Sequence, residues 1–92
     1  MAVTHEMPSI EQQLRDYIAE KILSASRFPY RDETSFLESG IIDSLKLLDI
    51  LLHIEKVYHI SVADDEIVPD NFDSVSKIAD FIRHKMGQTS AV

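Results

Sequence analysis

The strongest constraint on this chain is the spacing of its apolar residues, which follows the helical period in each long segment. Ile10, Leu14, Tyr17, Ile18 and Ile22 fall at i, i+4, i+7, i+8 and i+12, one stripe of an amphipathic helix. Val75, Ile78, Ala79, Phe81 and Ile82 mark a second such helix near the other end. Between them, Leu45, Leu47, Leu48, Ile50, Leu51, Leu52, Ile54, Val57 and Tyr58 predict a helix over about Ser44 to Tyr58, with apolar cover wider than a single stripe. Ile60-Ser61-Val62 alternates like a strand, but three residues without a partner read as extended linker. The pattern predicts an all-α fold, and 92 residues suffice for one small domain with a modest core.

The helix ends carry their own signals. Ser9 is placed to cap the first helix, with Gln12 at the position a capping box requires. That helix should fade near Ser24 to Ser26. Arg27 to Gly40 then form a long first loop, with Phe28, Tyr30, Phe36 and Leu37 as its apolar anchors. A loop of that length in a small domain is often functional. Asp64 to Val68 reads as a short helical turn stopped before Pro69. Asp73 or Ser74 starts the last helix, Arg83, His84 and Lys85 place positive charge in its final turn, and Gly87 supplies the stop. The expectation is three main helices plus a short one in a domain over residues 8–87, flanked by flexible tails at 1–7 and 88–92.

Composition narrows the functions open to such a domain. A net charge of −7 disfavours nucleic acid, because few cations are present to replace phosphate counterions, and suits partners with basic surfaces. No apolar run approaches a membrane span, and no basic segment followed by an apolar one marks a secretory signal. With no cysteine there is no disulfide, thiolate nucleophile or zinc–thiolate site, and a cytoplasmic protein is the simplest reading. His53 and His59 lie six apart, not at the spacing of a helical metal pair. Asp64-Asp65-Glu66 lacks the ligand spacing and glycine of a calcium loop. A helical domain this small offers little enclosed space to shield a Ser-His-Asp site from water. No catalytic residue and no metal ligand is assigned, and the chain is read as a non-enzyme.

One segment resists that bland account. Gly40-Ile41-Ile42-Asp43-Ser44-Leu45 places a hydroxyl at a helix start, beside a carboxylate and after a glycine. An Asp or Ser there is ordinarily just a cap. A helix N-terminus, however, also favours anions, so Ser44 is well placed to carry a phosphodiester.

With its surroundings, this segment resembles the acyl carrier protein family and its peptidyl and aminoacyl relatives. Phe36 and Leu37 precede Gly40, Ile42, Asp43, Ser44 and Leu45, and Leu48, Leu52, Glu55, Tyr58, Ile60 and Val62 follow in the family's order. Phe72 to Ile82 looks like the family's last helix with its capped start. The resemblance spans about Ile10 to Met86 and implies an acyl-carrier-like four-helix bundle. It further implies that Ser44 is esterified with 4′-phosphopantetheine from coenzyme A by a separate phosphopantetheinyl transferase, with Asp43 assisting that transfer. The imported thiol would then hold an acyl or aminoacyl group as a thioester, which suits a chain without cysteine. Leu45, Lys46, Leu48 and Asp49 would meet the partners: an activating ligase and downstream synthase or transferase enzymes, around a monomeric carrier.

The chain departs from carriers of dissociated fatty acid synthesis, whose second helix is strongly acidic. Here Lys46 and Lys56 offset Asp49 and Glu55, and the acidity lies at Glu33, Glu38, Asp64 to Glu66 and Asp70 to Asp73. That charge pattern favours a specialised polyketide, nonribosomal peptide or ligase-fed pathway over fatty acid synthesis. A third reading is a small acidic helical adaptor without a prosthetic group, gripping a partner through the apolar second helix. Whether that helix exposes part of its apolar surface or is buried on several sides is open at this level.

Overall fold

A computed structural model describes residues 8–90. The tail expected over 1–7 lies outside them, as do residues 91 and 92. Among the described residues the regular structure is entirely helical.

The first helix, α1 (Ile10–Tyr17), begins as its sequence suggests: Ser9 is extended and its Oγ accepts the Gln12 N–H at 3.1 Å. The reciprocal half of the box is not made, because the Gln12 side chain turns to Asp16 and Arg15 instead. The helix widens into a π-helical turn over Ile18–Ile22 and ends where Ser24 takes a positive φ of 54°.

The long first loop contains an unexpected element. A four-residue helix, α2 (Phe36–Ser39), starts at Ser35, whose Oγ accepts the Glu38 N–H at 3.1 Å, and stops at Gly40 with φ 71°. Of the four expected loop anchors, Phe36 is buried and Phe28 packs partly on the core, whereas Tyr30 and Leu37 are exposed. Leu37 faces away because α2 spends its one inward position on Phe36.

The remaining elements are α3 (Ser44–Tyr58), a 3-10 turn (Asp64–Glu66), α4 (Pro69–Phe72) and α5 (Val75–Ser90). The expected boundaries of α3 agree with the structure. Pro69 does not merely stop the preceding turn; it occupies the first helical position of α4, where its missing N–H costs nothing. Ser74 caps α5, its Oγ accepting the Lys77 N–H at 3.1 Å, which leaves Asp73 for another task. Gly87 does not end α5: its φ is not left-handed, as a glycine stop would require, and the helix backbone continues to Ser90.

Leu14, Ile18, Ile50, Ile54, Val75, Ile78 and Ile82 are completely enclosed. Burying such a side chain stabilises by about 1.5–3 kcal/mol. The α5 helix is the hub, packing on α1, α3 and α4. Arg83 clamps Glu11 at 2.6 Å, tying α5 to α1, and Arg15 holds Asp32 at 2.7 Å, tying α1 to the loop. The Tyr58 hydroxyl donates to Gln13, and the Tyr17 ring stacks on His53 at 3.7 Å, so α1 and α3 are joined by polar and aromatic contacts.

Candidate functional site

The chain leaves α2 through the left-handed Gly40 and re-enters the core at Ile42, which is buried. Asp43 follows in extended conformation, and its Oδ1 accepts the Lys46 N–H at 2.9 Å. Its carbonyl accepts the Leu47 N–H at 2.9 Å. Asp43 is therefore the cap of α3, and Ser44 is the first helical residue. Helix geometry leaves the N–H groups of Ser44 and Leu45 without intrahelical acceptors. The Ser44 side chain is exposed, and among the described residues its hydroxyl has no hydrogen-bond partner.

Ser44 also lines a cleft of about 260 Å³. The cleft is bounded by Phe36 and Leu37 of α2, Ile42 and Leu47 beside Ser44, and Ile67, Val68, Pro69 and Phe72 opposite. Its two charged lining residues are Asp43 and Asp73. The sequence reading identified no such cleft, and missed Asp73 and the wall at Ile67 and Val68. The signal for one wall was present in Ser35-Phe36-Leu37-Glu38, the pattern of a capped helix start.

Asp73 holds that wall in place. Its Oδ2 accepts the Ser35 hydroxyl at 2.6 Å, its Oδ1 accepts the Leu37 N–H at 2.9 Å, and its carbonyl accepts the Phe36 N–H at 2.7 Å. Burial works against the Asp73 charge, but the hydrogen bonds from Ser35 and Leu37 outweigh it and hold the carboxyl below its usual range.

The α3 helix divides its apolar residues between two sides. Ile50, Leu51 and Ile54 enter the core, while Leu45, Leu48 and Leu52 are 77%, 51% and 60% exposed. Lys46 and Asp49 are exposed as well, so the four residues expected to meet partners are accessible together. The wide apolar cover of this helix thus reflects both core packing and an uncovered face.

None of the described histidines lines the cleft. Burial, with Lys56 nearby, pushes the His53 imidazole below its usual value under Tyr17. Among the described residues no group of three or more His, Asp or Glu side chains could hold a metal ion. None of the described helices is long and apolar enough to cross a membrane.

An accessible hydroxyl at a helix start, with two free backbone donors and an apolar trough beside it, fits a phosphodiester followed by a mostly uncharged arm. The comparisons with known proteins agree with that chemistry. The family model described as "Phosphopantetheine attachment site" matches residues 12–82, from α1 into α5. The chain is also similar to the acyl carrier protein of Buchnera aphidicola subsp. Acyrthosiphon pisum, at 28% identity over 79 residues, covering 86% of this chain and 95% of that protein. From its helical order to the span of that match, the chain belongs to the acyl carrier protein family, whose cofactor is 4′-phosphopantetheine.

Proposed function

We propose that Ser44 is the attachment residue and that the protein is a non-catalytic carrier of acyl or aminoacyl groups in a specialised pathway. The observation that carries this reading is the Ser44 hydroxyl itself, exposed, unbonded and opening on the apolar cleft. When bound, phosphopantetheine supplies a thiol that holds cargo as a thioester. The chain's own residues do the rest. Asp43 caps α3 and leaves its second carboxylate oxygen outside the cap, available to assist the transferase. The N–H groups of Ser44 and Leu45 face the phosphodiester charge at the positive end of the helix. Phe36, Leu47 and Val68 offer the arm an apolar wall.

The exposed face of α3 supports the pathway assignment. Leu45, Leu48 and Leu52 sit among Lys46, Asp49 and Lys56, so a partner meets an apolar stripe with mixed charge instead of an acidic rail. Such a surface suits a phosphopantetheinyl transferase, an activating ligase and a downstream transferase that dock chiefly by apolar contact. Carriage for fatty acid synthesis is the second reading, and the favouring observation is the similarity to an acyl carrier protein over nearly its whole length.

Intact mass after incubation with coenzyme A, magnesium and a broad-specificity transferase tests the attachment. One added phosphopantetheine, lost in Ser44→Ala, is the expected result; no addition while a control carrier is modified sinks it. Efficient malonylation and extension by fatty acid synthase enzymes would exclude the specialised pathway.

A further inference from the structure

The far wall of the Ser44 cleft, Ile67 to Phe72, follows the three-residue turn Asp64–Glu66 and contains only the four-residue α4, elements too short to hold themselves. Apolar burial secures only one end of it. Phe72 is buried, but Ile67 and Val68 are 38% and 40% exposed. At the other end the chain is clipped to α3, where Glu55 Oε2 accepts the Val62 N–H at 2.9 Å.

Between these points one residue gathers the segment. Glu66 Oε1 accepts the Ala63 N–H at 2.9 Å, and the Glu66 carbonyl accepts both the Val68 N–H and the Asn71 side-chain amide at 2.9 Å. Lys85 of α5 then reaches both Glu66 carboxylate oxygens, at 3.0 and 3.1 Å. The other bonds of Glu66 are internal to the segment; the contact with Lys85 joins it to the central helix. The ammonium also lies 5.8 Å from the Phe81 ring, and Phe81 packs against Phe72 of the same wall at 4.8 Å. An exposed ion pair would contribute little. This one is two-thirds or more shielded on each side, engages both oxygens, and leads through two aromatic rings to the cleft.

We propose that Glu66 and Lys85 latch the far wall of the Ser44 cleft, and that this latch sets the size of the apolar group the cleft admits. The first half rests on the contacts alone; the second rests on the carrier reading above. Glu66 and Lys85 act through Ile67, Val68 and Phe72, and are positioning residues.

Two measurements test the two halves separately. In the full chain without prosthetic group, Lys85→Met keeps the stem over Phe81 and removes the charge. Amide exchange at Ile67 and Val68 should quicken about tenfold while Ile50 and Ile54 stay unchanged, as local opening requires. Glu66→Gln, which keeps an acceptor for Ala63, should give a smaller change at the same amides, and carries the test if Lys85→Met does not fold. No change at Ile67 and Val68, or equal change throughout the chain, overturns the latch. For the second half, both forms are converted to the phosphopantetheine carrier and loaded with saturated acyl chains of increasing length. Thioester cleavage by hydroxylamine is then followed by intact mass. The chain length at which cleavage stops slowing should be longer in Lys85→Met; identical length profiles overturn the size rule. Failure of Ser44 to accept phosphopantetheine defeats the carrier reading and leaves the exchange result standing.

Discussion

One pair of substitutions can separate the cap that Asp43 forms from the role proposed for it in modification of Ser44. As the cap of α3, its Oδ1 accepts the Lys46 N–H at 2.9 Å. Removing such a cap costs about 1 kcal/mol, within a range of roughly 0.5–2. Its negative charge at the positive end of the helix adds roughly 0.3–1 kcal/mol, toward the lower value here because the residue is exposed to screening solvent. Asp43→Asn keeps an acceptor in the capping position and loses only the charge, so it should cost less than about 0.5 kcal/mol. Asp43→Ala loses both, so it should cost about 1–2 kcal/mol and lower Tm by about 4–8 °C for each kcal/mol in a domain of this size. Urea unfolding at neutral pH reads the difference as a shift in midpoint at constant slope. Modification of Ser44, measured by mass at a temperature where both variants are folded, should be slow in both. Equal destabilisation by Asn and Ala would refute the capping argument. Wild-type modification of Asp43→Asn would refute any role for the carboxylate beyond the cap.

Two further outcomes follow from the backbone and the charged contacts. Gly40→Ala meets no atom within 4 Å of the added methyl, so its cost is conformational; at φ 71° it should be about 1–2 kcal/mol by equilibrium unfolding, with Gly40→Asn costing less. Stability should fall in two stages on acidification. His53 is held below its usual range by burial and Lys56, so the folded state binds its proton less readily than the unfolded chain, and stability declines as pH drops below about 6.5. Glu11 (held down by the Arg83 hydrogen bond), Glu66 (by the Ala63 N–H, then Lys85) and Asp73 are also depressed, so their contribution is complete above about pH 5 and is lost as pH falls through their folded values. Titration monitored by thermal unfolding should show the first, shallow decline vanish in His53→Phe, which retains the stack on Tyr17; its persistence would assign that decline elsewhere.

The parts of the fold legible in the sequence are those whose apolar period runs for several turns. The α1 stripe from Ile10 to Ile22 and the extent of α3 could be read directly, and the start of α5 to within one residue, at Asp73 or Ser74. α2 and α4 could not, because four residues are too few for a period to show and their formation depends on partners distant in the chain. The Ser35 cap was visible in principle; that Asp73 would receive Ser35 and Leu37 was not. Pro69 is compatible with both an ending and a beginning, and the structure uses it as a beginning. Gly87 shows the converse, since a glycine ends a helix only where the backbone turns left-handed. The helix start at Asp43-Ser44 was legible in the sequence, whereas the cleft beside it needed three segments to converge. Likewise the wide apolar cover of α3 left open whether part of it was exposed or all of it buried. Ile50 and Ile54 went inward, and Leu45 and Leu52 remained outside.

The bonds of Asp73 to α2 join residues 38 and 36 positions apart, so this wall depends on a contact that no local segment makes by itself. The wall carrying Phe36 and Leu37 therefore stands only where Asp73 is in its folded place. A transferase that touched this wall while modifying Ser44 would be reading a folded chain. Chains still collapsing, or misassembled around α5, would present the serine without its wall. Attachment of the arm would then serve as a checkpoint, admitting to the pathway only carriers that have finished folding.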